Sequence, residues 1–149
     1  GGGGGNDGEV ENLRRELADA KARIKELEEI QKECFKLNKT MNILIELHLT
    51  NESTKNGVSL EELDNLINNT KNYPNIILKG FMTMGPLSDN LKETEEAFIK
   101  AHQIYEKYKE IIPTIDTLSM GMSNDYELAI KHGSTLIRLG TILFGKRNY

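Results

Sequence analysis

Ile43-Leu-Ile-Glu-Leu-His-Leu49, then Ser59-Leu-Glu-Glu-Leu-Asp-Asn-Leu-Ile67, then Ile76-Ile-Leu-Lys-Gly-Phe-Met-Thr83 decide the fold class. The first segment alternates, with Ile43, Ile45, Leu47 and Leu49 on one face and Leu44, Glu46 and His48 on the other, as a strand does. The second opens on a capping box, Ser59 with Glu62, and places Leu60, Leu63, Leu66 and Ile67 at helical spacing. The third is a second apolar strand, introduced by Tyr73-Pro74. Strand, helix and strand in this order predict a parallel pair joined by a crossover.

The pattern continues towards the C-terminus. Ser88 is positioned to cap a long helix with the stripe Leu91, Phe98, Ala101, Tyr105, Tyr108 and Ile112, which Pro113 stops. Ile115 to Ser119 reads as a third strand. Asn124 and Glu127 suit the start of a short helix that ends at Gly133, and Leu136 to Leu139 reads as a fourth strand. The expected class is therefore α/β: four parallel strands with helices on the outer side, over residues 39–149.

Two other regions precede it. Residues 1–8 are glycine-rich and read as a flexible tail. Over 9–38, Val10, Leu13, Leu17, Ala20, Ile24 and Leu27 alternate by threes and fours, with Glu11–Arg15, Asp19–Arg23 and Lys25–Glu29 pairs beside them. This is a coiled-coil-like seam, and the same pattern suits a long amphipathic surface helix. After Leu27 the stripe Ile30, Cys34, Leu37 predicts a break in phase, and Asn38 an end.

Composition bounds the function. A chain of 149 residues with net charge −4 can build one ordinary core and carries no basic footprint for nucleic acid. No apolar run is long enough to span a bilayer, and Gly1 to Gly8 resembles no signal peptide. Cys34 is the lone cysteine, so no internal disulfide forms and a reducing, cytoplasmic setting is expected. Three histidines and one cysteine, dispersed, give no zinc spacing.

Ligands of parallel α/β sheets bind at the carboxyl ends of the strands. The last two strand ends, Leu118-Ser-Met-Gly-Met-Ser-Asn-Asp-Tyr126 and Leu136-Ile-Arg-Leu-Gly-Thr141, offer small, polar and glycine-bearing turns there. Ser123, with the amides of Asn124 and Asp125, would face an anion at a helix start. Arg138 shares a face with Leu136 and Gly140, and an inward arginine needs an anionic or hydrogen-bonding partner. Gly140 permits close approach, and Thr141 adds a hydroxyl and an N–H. Alternatively, Ser123 is only a helix cap and Arg138 pairs with Glu46 or Asp116. Glu46 and His48 point to the inner side of the sheet, where a structural role in a buried hydrogen-bond network is preferred to a catalytic one.

From about Ile30 to Tyr149 the chain resembles the C-terminal half of the pyridoxal-phosphate homeostasis protein family, single-domain barrels similar to the cofactor domain of alanine racemases. Asn42-Ile-Leu-Ile-Glu46, Glu52-Ser-Thr-Lys-Asn-Gly57, Lys79-Gly-Phe-Met-Thr-Met84, Thr117-Leu-Ser-Met-Gly-Met-Ser-Asn-Asp125 and Gly133 to Tyr149 carry the resemblance. It implies half of a (β/α)8 barrel, strands five to eight, behind an unrelated N-terminal helix. It also implies that Ser123, Gly140 and Thr141 hold the phosphate of pyridoxal 5′-phosphate, with Arg138 beside the cofactor. The family usually has Asn at the place of His48 and Ser at that of Thr54. Its Schiff-base lysine finds no counterpart, Lys55 being a loop residue, so binding is expected to be noncovalent and weak. The expected function is cofactor binding and homeostasis without enzymatic turnover. Two copies could pair through the N-terminal helix or the open barrel edges. The alternative is a structural or assembly protein, or an engineered fragment, whose cofactor site is vestigial.

Overall fold

A computed structural model describes residues 4–49, 60–85 and 90–140, the side chains of residues 4–20 and of Leu60 excepted. The elements run α1 (Gly4–Leu37), β1 (Met41–Leu47), α2 (Leu60–Thr70), β2 (Ile76–Thr83), α3 (Leu91–Ile111), β3 (Thr117–Ser119) and α4 (Tyr126–Lys131). The chain divides into two compact units, Gly1–Ile43 with Glu52–Ile77, and Leu44–Asn51 with Leu78–Tyr149.

In the first unit α1 packs on α2. Leu27 and Cys34 from α1 meet a core that includes Leu63, Leu66, Ile67 and Ile76, all buried. The predicted phase break after Leu27 is absent. Ile24, Leu27, Gln31 and Cys34 continue one stripe, while Leu37 is exposed. The pattern looks broken because a polar residue, Gln31, occupies an inward position. Its amide is consumed by Asn75, donating to Asn75 Oδ1 and accepting from Asn75 N, both at 2.9 Å. Asn75 in turn donates to Lys39 O at 2.7 Å and accepts Met41 N at 2.8 Å. One asparagine thus ties the end of α1 to the start of both strands. Of the predicted seam, Val10, Leu13, Leu17 and Ala20 lie outside the described side chains. The predicted stop at Asn38 is present: φ is 52°, Asn38 N reaches Phe35 O and Lys39 N reaches Cys34 O. That is a left-handed helix cap with asparagine in place of glycine.

The strands lie in the order β1-β2-β3, and the second unit holds most of β1 and β2 and all of β3. β2 and β3 run parallel, pairing Gly80 with Thr117, Phe81 with Leu118 and Met82 with Ser119. The strand predicted over Ile76–Thr83 is β2 to the residue, but its burial alternation shifts by one at Gly80. There φ is +150°, and a side chain would collide with the Thr117 carbonyl, so only glycine allows the shift. Phe81 then faces the helix layer, its ring 5.8 Å from that of Tyr108.

α3 buries Thr94, Ala97, Phe98, Ala101, Ile104, Tyr105 and Tyr108 along one stripe. Leu91, expected in that stripe, is exposed by 68% because it stands at the first turn beyond the packed part. The predicted cap Ser88 lies outside the described residues; Asn90 caps the helix, accepting Lys92 N at 3.1 Å. The cap position before α4 is Asp125 instead of Asn124, and the helix is closed as expected by Gly133, where φ is 94° and Ser134 N bonds back to Ala129 O.

The fourth strand is reduced to one parallel bridge, Ser119 with Leu136. Leu136 N reaches Leu118 O and Met120 N reaches Leu136 O, as in a parallel ladder. The next amide, Arg138 N, then bonds to Gly121 O at 3.1 Å, one residue beyond the regular partner, while Met120 O takes the Ser134 hydroxyl at 2.6 Å. The positive φ of Gly121 turns the chain and ends the ladder.

Candidate functional site

The carboxyl ends of the three strands are linked by side chains. Thr83, last residue of β2 and fully buried, donates its hydroxyl to Leu47 O at the end of β1, at 2.9 Å. Arg138 spans the next two ends: Nη1 donates to Ser119 Oγ at 2.9 Å and Nη2 to Thr83 O at 3.2 Å. Ser119 is 1% exposed and Arg138 half-buried.

Both acceptors of the guanidinium are neutral. Among the described residues no carboxylate pairs with Arg138, so the two partners offered by sequence are corrected. Asp116 is taken by Lys79 at 2.8 Å and by the Thr117 hydroxyl, also at 2.8 Å. The Lys79 hydrogen bond, then that of Thr117, hold the Asp116 carboxyl below its ordinary range. Glu46 is half-buried on β1, while His48 falls one residue beyond the strand and is exposed, so the expected Glu46–His48 strand face is not formed as a pair.

Beside Arg138 the chain turns through Met120-Gly-Met-Ser-Asn-Asp125. Gly121, at φ +100°, presses against α4: a Cβ there would lie 2.5 Å from Ala129 Cβ and 2.8 Å from Ile137 Cδ1. Met122 N donates to Asp125 Oδ1 at 2.7 Å, and Asp125 N to Met122 O at 3.2 Å. Asp125, whose side chain makes no cap bond within α4, therefore spends a carboxylate on the turn itself. Ser123 and Asn124 are left as the inner turn residues, and their amides donate to no carbonyl among the described residues. Ser123 Oγ is buried without a hydrogen-bond partner. A cleft of about 470 Å³ opens at this turn, lined by Ser123, Asn124, Asp125, Tyr126 and Leu91 among others.

Gly140 is half-buried, and a Cβ placed on it would meet nothing within 4 Å among the described residues. Its lack of a side chain therefore leaves free space and relieves no clash. Thr141 and Lys55 lie outside the described residues. Arg138, Ser119 and Thr83 form one hydrogen-bonded group, and Ser123 stands on the turn joined to it through Gly121. Thr83 was hidden in the sequence as an ordinary strand end, and Ser119 as one small residue among several. Thr83 and Ser119 are nonetheless polar side chains at the ends of otherwise apolar strands, which was the available signal.

Residues 6–148 match the model of the alanine racemase N-terminal domain family. The chain belongs to this family. As the match starts at residue 6, all but the first two residues of α1 fall within the alanine racemase N-terminal domain, and the helix is not unrelated to it. The chain is 42% identical over 111 residues to the pyridoxal phosphate homeostasis protein of Haemophilus influenzae, covering 73% of this chain and 47% of that one. It is 40% identical over 137 residues to the protein of the same name from Aquifex aeolicus, covering 91% and 56%. Among solved structures, PipY of Synechococcus elongatus with PLP bound superposes with a TM-score of 0.69 at 27% identity, over 79% of this chain and 55% of that one. A Bifidobacterium adolescentis protein superposes with a TM-score of 0.73 at 26% identity, over 81% and 49%. The chain spans about half the length of the curated relatives it matches.

Proposed function

We propose that this chain holds the phosphate side of a pyridoxal 5′-phosphate site without a covalent bond, and that it serves cofactor homeostasis rather than catalytic turnover. The observation that carries the proposal is the Arg138 guanidinium, a cation fixed across two strand ends by acceptors that, among the described residues, are all neutral. A cation so placed calls for an external anion.

The residues present fit that anion. The Ser123 hydroxyl is buried and unpartnered, the adjoining amides of Ser123 and Asn124 donate to no backbone carbonyl among the described residues, and Gly140 leaves room. In this reading Ser123, Gly140 and Thr141 receive the phosphate and Arg138 supplies positive charge beside it. α4 has six residues, so its dipole adds little, and the Asp125 carboxylate, though it accepts a hydrogen bond from Met122 N, opposes an anion. Both features favour weak binding. The bound cofactor would supply an aldehyde on an electron-withdrawing ring; the residues above orient and retain it. Names and ligands of the relatives support the same reading.

The fold is read as half of a (β/α)8 barrel, with β1, β2, β3 and the Leu136 bridge in four consecutive places, lacking the strand that bears the family's covalent lysine. The free thiol of Cys34 suits the cytoplasm. The edge of β1 is a place for a second copy to pair; light scattering that finds a monodisperse monomer at high concentration refutes that pairing. The cofactor reading is tested by titrating pyridoxal phosphate, followed by absorbance, against wild type and Arg138→Ala. Saturable binding that Arg138→Ala abolishes or weakens at least tenfold is expected. Absence of saturable binding refutes the reading. Borohydride reduction that leaves an adduct on one lysine refutes its noncovalent part.

A further inference from the structure

The clamp on Arg138 has a buried member whose setting is unusually firm. Ser119 pairs with Met82 on one side and with Leu136 on the other, so its backbone is held from both neighbours. It is 1% exposed, which keeps water from competing for its hydroxyl. Its Oγ receives the shorter of the two guanidinium bonds, 2.9 Å against 3.2 Å to Thr83 O. The Thr83 carbonyl is the longer, second support, on a residue whose own hydroxyl is occupied by Leu47 O. An arginine side chain carries about 2 kcal/mol of rotamer entropy, and a cationic head on a flexible stem loses it on binding unless it is already fixed.

We infer that Ser119 is a positioning residue: its hydroxyl sets the orientation of the Arg138 guanidinium before any ligand arrives. The Ser119 oxygen accepts from Nη1, so neither its hydroxyl proton nor the other guanidinium hydrogens are used in that bond. Ser119 and Arg138 therefore act as one unit, and the contribution of Ser119 passes through Arg138. The effect on cofactor affinity rests on the functional reading above, whereas the orienting role does not.

The test has two arms. In the ligand-free protein, nitrogen-15 spectra of arginine side chains report rotation about the Cζ–Nη bonds. Separate Nη1 and Nη2 resonances are expected for Arg138 in wild type and in Ser119→Thr, and merged ones in Ser119→Ala. In pyridoxal phosphate titrations, Ser119→Ala should weaken binding about tenfold, roughly 1.4 kcal/mol, with Ser119→Thr restoring it. On an Arg138→Ala background, Ser119→Ala should add nothing. Merged resonances in wild type overturn the inference, as do separate ones in Ser119→Ala, or an equal loss of affinity with and without Arg138. If wild type orders Arg138 as expected but binds no pyridoxal phosphate, the cofactor reading fails and the orienting role of Ser119 stands. Should Ser119→Ala fail to fold, Ser119→Cys, a weak acceptor, takes its place, with merged resonances supporting the inference and separate ones overturning it.

Discussion

Replacing Gly80 with alanine should be among the most damaging changes the sheet can suffer. The added Cβ would stand 1.7 Å from the Thr117 carbonyl oxygen and 2.8 Å from its carbon. Real Cβ contacts do not fall below 3.0 Å, so a gap of about 1.3 Å (3.0 − 1.7) must open. Both colliding atoms are backbone and cannot swing aside as the end of a side chain would. Taken up between the strands, such a displacement carries the Asp116 N to Lys79 O bond, now 3.0 Å, past 4 Å, where no hydrogen bond remains. The neighbouring pairs Phe81–Leu118 and Met82–Ser119 are strained with it. Each buried backbone bond lost costs about 1 kcal/mol, and the positive φ of a non-glycine residue about 1–2 kcal/mol more. With the Asp116–Lys79 bond and one or two of the adjoining ladder bonds lost, the sum is about 3–5 kcal/mol, against the 5–15 kcal/mol that typical domains possess. Urea denaturation followed by circular dichroism measures it. With a slope of about 2 kcal/mol per molar, the midpoint should fall by roughly 2 M. A loss below about 1 kcal/mol with unchanged slope would mean that β2 and β3 do not approach as described.

Gly140→Ala provides the contrast: with nothing within 4 Å of the new Cβ, stability should change by less than about 0.5 kcal/mol. Pyridoxal phosphate affinity should nevertheless fall in titration, and unchanged affinity would remove Gly140 from the site. Asn75→Ala removes the acceptor of Gln31 Nε2 and the donor to Lys39 O, while the Asn75 N to Gln31 Oε1 bond remains, and should cost about 1–3 kcal/mol by denaturation. Lys79→Met should let the Asp116 carboxyl titrate nearer its ordinary value, as read by carbon-13 NMR. Because the folded-state value of Asp116 is depressed, the stabilisation it provides is complete above 3.8 and lost as pH falls through the lower folded value. Wild type and Lys79→Met should therefore converge in stability under acid, and a gap that widens below that pH would contradict the pairing.

Much of this was legible because apolar periodicity is dense where elements bury one face. Ile76 to Thr83 could be bounded to the residue, and Phe98, Ala101, Tyr105 and Tyr108 had the spacing of a packed helix stripe. Leu91 fell out of the stripe because periodicity does not reveal where the partner surface ends. Gln31 disguised a continuous α1 stripe because its amide is satisfied by Asn75, a residue far along the chain. The fourth strand shrank to one bridge for a similar reason: the Ser134 hydroxyl replaces an amide at Met120 O, which hydropathy cannot register. At the site, Ser123 and Arg138 were marked by residue type and position at strand ends. The actual partners of Arg138 required three dimensions, since Thr83 and Ser119 lie on different strands.

The slip at Gly121 makes the spacing of this region as important as its residues. Between the Leu136 and Arg138 amides the chain advances two residues, while their acceptors advance three, from Leu118 to Gly121. An insertion or deletion of one residue between Ser119 and Gly121 would cancel or double that offset. Arg138 would then be presented on the opposite side of the backbone, with every chemical group of the site still encoded. Loops transplanted from the longer relatives must therefore match in length before they match in sequence, and a chimera that ignores the count loses the guanidinium without a single mutated side chain.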